Sequence, residues 1–242
     1  MPPNGSLGGM AVTGFPLMEL FPFILFGVAF AAVVAWAVTK GRADAAARAR
    51  TLVTMGFAPA PSDAETLAAE VARHENNSEC RYRVSEPMRA SVHGKSIWFY
   101  AKERATQGSL VSAHEFRFPL RRPSAEGLVL FYKPSALASG TTATLIGNLA
   151  TEGFDSQPDD LTRLEIAGDR KHGNLIGALG PAHGSLHELI DSKALAALES
   201  VGDFGALVVV CRGDWCSLAS STTRIKLDLV RLWPIVQQLV AA

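Results

Sequence analysis

Residues 20–39 form a continuous apolar segment of 20 residues without a charged side chain. An α-helix rises about 1.5 Å per residue, so a segment of this length spans about 30 Å, the thickness of the hydrocarbon core of a bilayer. Lipid offers no hydrogen bonds to the backbone, so a segment that crosses it must be helical. Pro22 falls in the first turn, where its missing N–H is tolerated, and Trp36 lies at interface depth. The segment predicts one transmembrane helix.

A cleaved secretory signal and a buried core helix are the two alternatives for this segment. Secretory signals begin with a basic stretch and have an apolar region of about 7–15 residues. Residues 1–18 contain neither Lys nor Arg, and the apolar segment is longer than that range. A core helix does not require an uninterrupted apolar run with basic residues on one flank. The sequence therefore favours a membrane anchor over both alternatives.

Positive charge follows the segment and does not precede it. Glu19 is the single charged residue before it. The four basic residues that follow it, against one acidic residue, are Lys40, Arg42, Arg48 and Arg50. The positive-inside rule places this flank in the cytoplasm. We expect a single-pass protein of the bacterial inner (plasma) membrane, with its N-terminus outside and these four side chains as candidates for contact with the membrane surface.

Small residues recur every four positions within the predicted span, at Gly27, Ala31 and Ala35. Small residues at this spacing form a flat stripe on which a second membrane helix can pack closely. Ala-rich membrane helices also carry such stripes by chance, so that alternative stays open. The stripe predicts association with a membrane protein partner, or with a second copy of the chain.

Changes in composition divide the chain into four parts. Residues 1–19 are rich in Gly and Pro and are predicted to be flexible, and residues 20–39 are the predicted span. Residues 40–61 are predicted as a basic juxtamembrane helix, ended by Gly56, and a linker. Residues 62–242 are predicted to form one cytoplasmic α+β domain.

The composition excludes several classes of protein. An apolar content of 48% supports a packed core and excludes a wholly disordered chain. Three cysteines are too few for a small secreted domain held by disulfides. The 23 basic and 23 acidic side chains cancel, which excludes a uniformly basic protein that coats nucleic acid. We therefore predict no nucleic-acid partner.

The predicted domain begins with a helix and continues with strands. Ser62 and Glu65 have the spacing of a capping box that begins a helix over residues 62–75. Leu67, Val71 and His74 lie on one face of it, so this helix should pack on another element. Aromatic and β-branched residues between turn signals then predict an antiparallel meander of about four strands over residues 81–133.

The turns of the meander are expected at Gly94-Lys95, at Gln107-Gly108 and near Pro123. In the segment IWFYAK, large side chains occupy both alternating sets of positions, with Ile97 and Phe99 on one face and Trp98 and Tyr100 on the other. This strand is therefore expected to be covered on both faces.

A β-hairpin followed by an amphipathic helix is predicted at the C-terminus. The apolar segments GALVVVC and WCSLASS flank Arg212-Gly213-Asp214, a turn signal. In such a hairpin Cys211 and Cys216 are opposite each other, with Cα atoms about 4.5 Å apart, and they could form a disulfide if oxidised. The cytoplasm is reducing, so we expect free thiols. Metal binding or redox sensing by the pair is the alternative.

Charge is unevenly distributed within the domain. Residues 80–133 carry ten basic and four acidic groups, whereas residues 134–203 carry four basic and ten acidic groups. Mutual attraction within one domain explains this simply. Contact of Arg117, Arg121 and Arg122 with anionic lipid is the alternative. Base stacking is a third and weaker interpretation, because aromatic residues in a strand are usually core; its candidates are Trp98, Phe99, Tyr100 and Phe116.

The sequence contains no recognised catalytic motif, and no cofactor or metal site is predicted. Residues 168–174 fail as a P-loop because Asn174 stands where Lys is required. The order of elements, with Gly56-Phe57 after the juxtamembrane helix, resembles that of bacterial single-pass membrane proteins, and this resemblance implies no activity. We therefore predict a non-enzymatic accessory, assembly or scaffold protein of a larger membrane complex.

A membrane-tethered hydrolase or metalloenzyme is the alternative function. Its candidate residues are His183, His187 and Glu188, because two histidines four positions apart on one helix can bind a metal from the same face. The predicted helix begins near Ser185, so His183 can equally be a polar residue at its end.

Overall fold

A computed structural model describes residues 17–105, 110–132, 160–164, 175–182, 189, 192–199, 207–220 and 228–241. The chain divides into two units, Met1–Arg50 and Thr51–Ala242. Of the predicted flexible segment, residues 1–19, the first 16 residues lie outside the described part of the chain. At residues 17–19 the chain is already helical.

Helix α1 covers Leu17–Thr54 and contains the whole predicted span. It is long and apolar enough to cross a membrane. As predicted, the helix continues through the basic residues and ends before Gly56, which has a φ of +91°. The Gly56 N–H donates to the Val53 carbonyl and the Phe57 N–H to the Leu52 carbonyl, both at 3.0 Å. These two bonds form a Schellman motif, and Leu52 and Phe57 are buried in the core of the second unit.

One antiparallel sheet organises the second unit. Its strands among the described residues are β1 (Ala58–Pro59), β2 (Arg81–Val92), β3 (Lys95–Ala105), β4 (Leu110–Tyr132), β5 (Thr162–Arg163), β6 (Leu175–Gly180) and β7 (Leu207–Ser220). They are ordered β1-β2-β3-β4-β6-β5, and β7 pairs with β4. The helices of this unit in the described ranges include α2 (Ala64–Glu75), α3 (Ser192–Glu199) and α4 (Leu229–Ala241). The predicted α+β class is confirmed.

Helix α2 forms where the sequence predicts a helix, but it begins differently. A short 3₁₀ turn over Pro61–Asp63 precedes it, and its N-cap is Asp63, whose side chain makes no capping hydrogen bond. The Ser62 hydroxyl donates to the Asp63 carboxylate at 3.2 Å. The predicted capping box between Ser62 and Glu65 is therefore wrong, because Ser62 lies inside the 3₁₀ turn, one residue before the N-cap.

The meander is confirmed, with fewer and longer strands than predicted. His93 and Gly94, with φ of +49° and +75°, form the turn between β2 and β3, one residue earlier than expected. The expected Gln107-Gly108 turn lies outside the described residues. No strand ends near Pro123 in the described backbone of β4. Its pairing with β7 continues past this point through irregularities of register between Pro119 and Leu128.

The predicted turn at Arg212-Gly213-Asp214 is a bend within β7. Cys216 pairs with Phe118 of β4 and Cys211 pairs with Leu128 of the same strand, so both halves of β7 pair with β4. Gly213 has a φ of +56°. The expectation of two strands joined by a hairpin turn is corrected to one bent strand, because β4 bends beside β7 and keeps its pairing with it.

Both faces of the sheet are covered near β3, as the IWFYAK segment predicts. On one face α4 packs on the main core, where the ring centroids of Phe99 and Phe116 are 4.9 Å apart and those of Phe116 and Trp233 are 6.3 Å apart. On the other face α2 packs through Leu67 and Val71 on a smaller cluster that includes Tyr100. The face that α2 covers also carries charged side chains, among them Lys102, Glu115 and Arg117.

Candidate functional site

A group of buried and half-buried polar side chains lies between α2 and the sheet. We name it the α2 charge cluster; its members are Glu70, His74 and Glu75 of α2, Tyr100 and Lys102 of β3, and Glu115 and Arg117 of β4. Strand pairing places Tyr100 opposite Glu115. Residues opposite each other share a face of the sheet, so these side chains point toward the same helix.

Lys102 links α2 to β4. Its Nζ atom donates to Glu75 and lies 2.6 Å from Oε2 of Glu115, while its side chain is 12% exposed. Burial alone would lower the pKa of Lys102, but the carboxylates of Glu115 and Glu75 raise it above its ordinary value. Lys102 is therefore held in its charged form by two carboxylates from two different elements.

Glu115 is ionised although it is buried. Its side chain is 1% exposed and accepts a hydrogen bond from the Tyr100 hydroxyl at 2.6 Å. Burial acts to raise the pKa of Glu115, but Lys102 outweighs it, so this pKa is lowered. Burial and then the Glu115 charge raise the pKa of Tyr100, which keeps this hydroxyl protonated as a donor.

Arg117 makes the second link between the sheet and α2. Its Nη2 atom lies 3.6 Å from Oε2 of Glu70 and 2.8 Å from Nδ1 of His74. Its guanidinium also lies over the ring of Trp215 in β7, 5.1 Å from the centroid. Arg117 thus contacts α2 and β7 from a side chain that is 3% exposed.

His74 faces two incompatible partners at one nitrogen. Nδ1 lies 2.8 Å from the Arg117 guanidinium and 2.7 Å from the Glu70 carbonyl oxygen. A guanidinium can only donate and a carbonyl can only accept, so Nδ1 can hydrogen-bond to one of them at a time. Burial lowers the pKa of His74, and the Arg117 charge acts in the same direction. The neutral imidazole is therefore favoured beside Arg117.

A second ion pair lies next to the cluster. Arg212 donates two hydrogen bonds of 2.8 Å to the Asp160 carboxylate, and Asn76 donates a third at 3.1 Å. The hydrogen bonds from Arg212 are the main reason why the pKa of Asp160 is lowered to about 2. Because Asn76 is the C-cap of α2, this pair holds the end of that helix near the bend of β7.

The cluster encloses very little space. The cavity beside it has room for about one water molecule and is lined by His74, Glu75, Glu115, Arg117, Arg212 and Ser217. A cavity of this size excludes an organic ligand. Within the described part of the chain, no group of three His, Cys, Asp or Glu side chains is placed to hold a metal ion. The arrangement is suited to fixing α2 on three strands.

The predicted helix-packing residues lie on α1. Gly27, Ala31 and Ala35 are exposed, and a Cβ atom added at Gly27 would have no neighbour within 4 Å. Their role in helix association stays a prediction.

The predicted membrane-surface residues also lie on α1. Lys40, Arg42 and Arg50 are exposed, and Arg48 is partly buried. The Lys40 ammonium lies 4.8 Å from the centre of the Trp36 ring, and Arg50 donates to the Ala46 carbonyl at 3.3 Å. Contact of these side chains with lipid stays a prediction.

The structure corrects one proposed surface, and several of the remaining candidates lie outside its described part. Arg117 is buried, so it cannot face lipid, and the side chains of Arg121 and Arg122 lie outside the described ones. Phe99, Tyr100 and Phe116 are also buried, which agrees with their interpretation as core. His183, His187 and Glu188 lie outside the described residues.

The two cysteines of β7 meet, as predicted. Their Sγ atoms are 2.8 Å apart, and each residue is 1% exposed. The cause differs from the prediction, because a bend in one strand brings them together instead of a hairpin. All three cysteines of the chain are free thiols.

Sequence reasoning did not identify the α2 charge cluster. Glu115 and Arg117 alternate with Phe116 and Phe118, which is the pattern of a strand with one solvent-facing side. The available signal was indirect: His74 lies on the apolar face of α2, and Trp98 and Tyr100 require a cover on their side of β3.

Comparison with known proteins gives little similarity. No protein-family model matches the chain, and no curated protein matches it. Among solved structures, the crystal structure of the mycobacterial trehalose monomycolate transport factor A, TtfA, is 9% identical, with a TM-score of 0.37. The match covers 66% of this chain and 69% of that one. At this level the similarity supports no conclusion about the site.

Proposed function

We propose that this chain is a single-pass inner-membrane protein whose folded domain lies in the cytoplasm. On this proposal it acts without catalysis, as an accessory, assembly or scaffold subunit of a larger membrane complex. The observation that carries the proposal is the exposed apolar surface of α1. In its most apolar stretch of 18 residues, no residue is buried.

The exposed side chains of α1 are large. They include Leu25, Phe26, Val28, Phe30, Val33 and Trp36, which are 61–72% exposed. Removing a side chain of this kind from water contributes about 1.5–3 kcal/mol. A helix with so many of them requires an apolar environment, and a bilayer supplies one along its whole length.

The charges after the span support the orientation. The flank of residues 40–50 has a net charge of +3, whereas Glu19 is the charge nearest to the span on the other side. A fusion of alkaline phosphatase after Ala242 should be inactive, because that enzyme requires the oxidising side of the membrane. A fully active fusion would contradict the cytoplasmic placement.

The stripe of Gly27, Ala31 and Ala35 supports a role in assembly. Replacing Gly27 and Ala31 by Leu would separate a helix packed on this stripe. We expect the double variant to lose a partner, or a second copy, that co-purifies with the full chain in mild detergent. Ala29 and Val33 lie on the opposite face of the helix, so Ala29→Leu with Val33→Leu is the matched control and should retain it.

Two results would contradict the assembly role. One is the absence of any partner and of self-association for the unaltered chain. The other is an enzymatic activity or bound zinc that His183→Ala and His187→Ala remove, which would favour the membrane-tethered hydrolase or metalloenzyme.

A further inference from the structure

The bend of β7 places two buried thiols in contact, and we propose that Cys211 and Cys216 form a reversible intramolecular disulfide. Their Sγ atoms are 2.8 Å apart. A disulfide bond is about 2.05 Å long, so closure requires a movement of less than about 1 Å. This proposal does not depend on the proposed function, because it concerns a bond within the folded domain.

Strand pairing fixes both cysteines. Cys216 is held opposite Phe118 and Cys211 opposite Leu128, so each sulfur is positioned by its own section of the β4–β7 ladder. Both side chains belong to the main core, which limits their choice of rotamer. The contact therefore follows from the backbone and the packing together, and a disulfide fits without a change of strand register.

The oxidation requires an external oxidant, and a small-molecule disulfide such as oxidised glutathione supplies one. One cysteine thiolate attacks a sulfur of the oxidant and releases one molecule of its thiol. The second cysteine then attacks the sulfur of the protein in this mixed disulfide and releases the second thiol. The two cysteines lose two electrons and two protons, and the oxidant gains them as two thiols.

Burial makes this exchange slow in the folded protein. Both cysteines are 1% exposed, and burial, followed by the hydrogen bond with Cys211, raises the pKa of the Cys216 thiol well above its usual range. Thiolate is the reactive form, so exchange requires local opening of β7. Cys80 is partly exposed and should react faster than either of them.

A disulfide across the bend would stabilise the part of β7 that contacts the α2 charge cluster. Between the two cysteines lie Trp215, whose ring centroid is 5.3 Å from that of Trp98, and Arg212, which pairs with Asp160. Fixing the bend fixes the approach of both side chains. In a reducing cytoplasm the pair is a dithiol, and oxidation raises the stability of the domain.

The test uses the full chain in mild detergent with Cys80→Ser, which leaves the β7 pair as its two remaining thiols. Samples are equilibrated in mixtures of oxidised and reduced glutathione, quenched in acid, alkylated in neutral denaturant and weighed by intact-mass spectrometry. A parallel sample is unfolded and refolded in each mixture, so that burial cannot conceal the reaction. We expect a mass lower by two hydrogens, no alkylation, and a Tm increase of about 5 °C.

The control is Cys211→Ala in the same background, which leaves a single thiol and should show neither the mass change nor the increase in Tm. Recovery of both thiols on reduction shows that the bond is reversible. Two alkylatable thiols in the refolded sample at the most oxidising mixture would overturn the proposal. So would disulfides formed only between chains, or with glutathione.

Discussion

Two apolar helices of this chain have opposite environments. The apolar part of α1 exposes its side chains, with Leu25 62% and Phe26 72% exposed. Helix α4 is also apolar, but its Leu232 and Val236 are fully buried in the main core. At 13 residues α4 is about 20 Å long, which is too short to span a bilayer. Composition alone therefore does not tell whether an apolar helix is buried in the core, whereas the side chains packed against it do.

Charged residues show the same contrast. Lys40 and Arg42 after the apolar segment are exposed, whereas Lys102 and Arg117 in the sheet are nearly buried and bind carboxylates within the chain. Lys102 and Arg117 therefore meet their partners inside the folded unit, whereas the large apolar side chains of α1 are exposed.

Replacing Lys102 by Met removes the cation between Glu75 and Glu115. Two nearly buried carboxylates are then left without their partner, so we expect a loss of about 3–5 kcal/mol in the free energy of unfolding. Urea denaturation of the full chain in mild detergent measures it. Lys40→Met is the control and should change the value by less than about 0.5 kcal/mol. Equal effects of the two changes would contradict the contrast between buried and exposed charge.

The same change from Leu to Ala should have unequal effects in α4 and α1. Leu232→Ala creates a cavity in the core and should destabilise the folded unit by about 2–5 kcal/mol. Leu25→Ala should leave that free energy within about 0.5 kcal/mol, because Leu25 is exposed. Denaturation of the two variants under one set of conditions compares them directly. A loss of several kcal/mol for Leu25→Ala would show that α1 belongs to the core.

Gly127→Ala tests the bend of β4 beside β7. Gly127 has a φ of +87°, and a Cβ atom there would lie 3.2 Å from Nε of Arg212. We expect a loss of about 1–3 kcal/mol from backbone strain, together with a weaker ion pair between Arg212 and Asp160. Gly41→Ala, at an open position in α1, should be neutral or slightly favourable. A neutral Gly127→Ala would mean that the bend does not need this conformation.

The dependence of the unfolding free energy on pH tests the protonation of His74. Burial lowers the pKa of His74 in the folded state, whereas in the unfolded chain this pKa is about 6.5. The unfolded chain therefore binds the proton more readily than the folded one. Stability should therefore fall as the pH decreases from 7 through 6. Glu115 and Asp160 also have lowered pKa values, but their unfolded forms titrate near pH 4, so their contribution is lost only at lower pH.

The comparison variant for this titration is His74→Gln, which keeps a polar side chain and cannot be charged. Its unfolding free energy should decrease less than that of the unaltered chain between pH 7 and 5. If the unfolding free energies of the two proteins decrease equally over this interval, protonation of His74 does not destabilise the contact with Arg117.

Local sequence predicted the features that depend on neighbouring residues. Gly56 ends α1 because a helix C-terminus favours a left-handed residue there, and the alternation of Ile97 and Phe99 with Trp98 and Tyr100 requires two covered faces. The expected α+β class and most elements follow from such patterns. The predicted capping box at Ser62 is wrong because Ser62 itself belongs to a 3₁₀ turn that precedes the helix.

The α2 charge cluster and the bend of β7 depend on contacts between distant residues. Glu115 has the sequence pattern of a solvent-facing position, and its burial is compensated by Lys102 and Tyr100 under the cover of α2. Gly213 has the pattern of a hairpin turn, and its place within a strand follows from the simultaneous bend of β4. Tertiary partners decide both cases, and a single sequence does not name them.

The central claim is that the apolar segment of α1 is a retained membrane anchor. The most direct measurement is extraction of cell membranes with alkaline carbonate, followed by N-terminal sequencing and intact-mass analysis of the chain in the pellet. A retained anchor keeps the chain in the pellet with residues 20–39 still attached. A chain released into the supernatant, or a mature N-terminus located after residue 39, would contradict it.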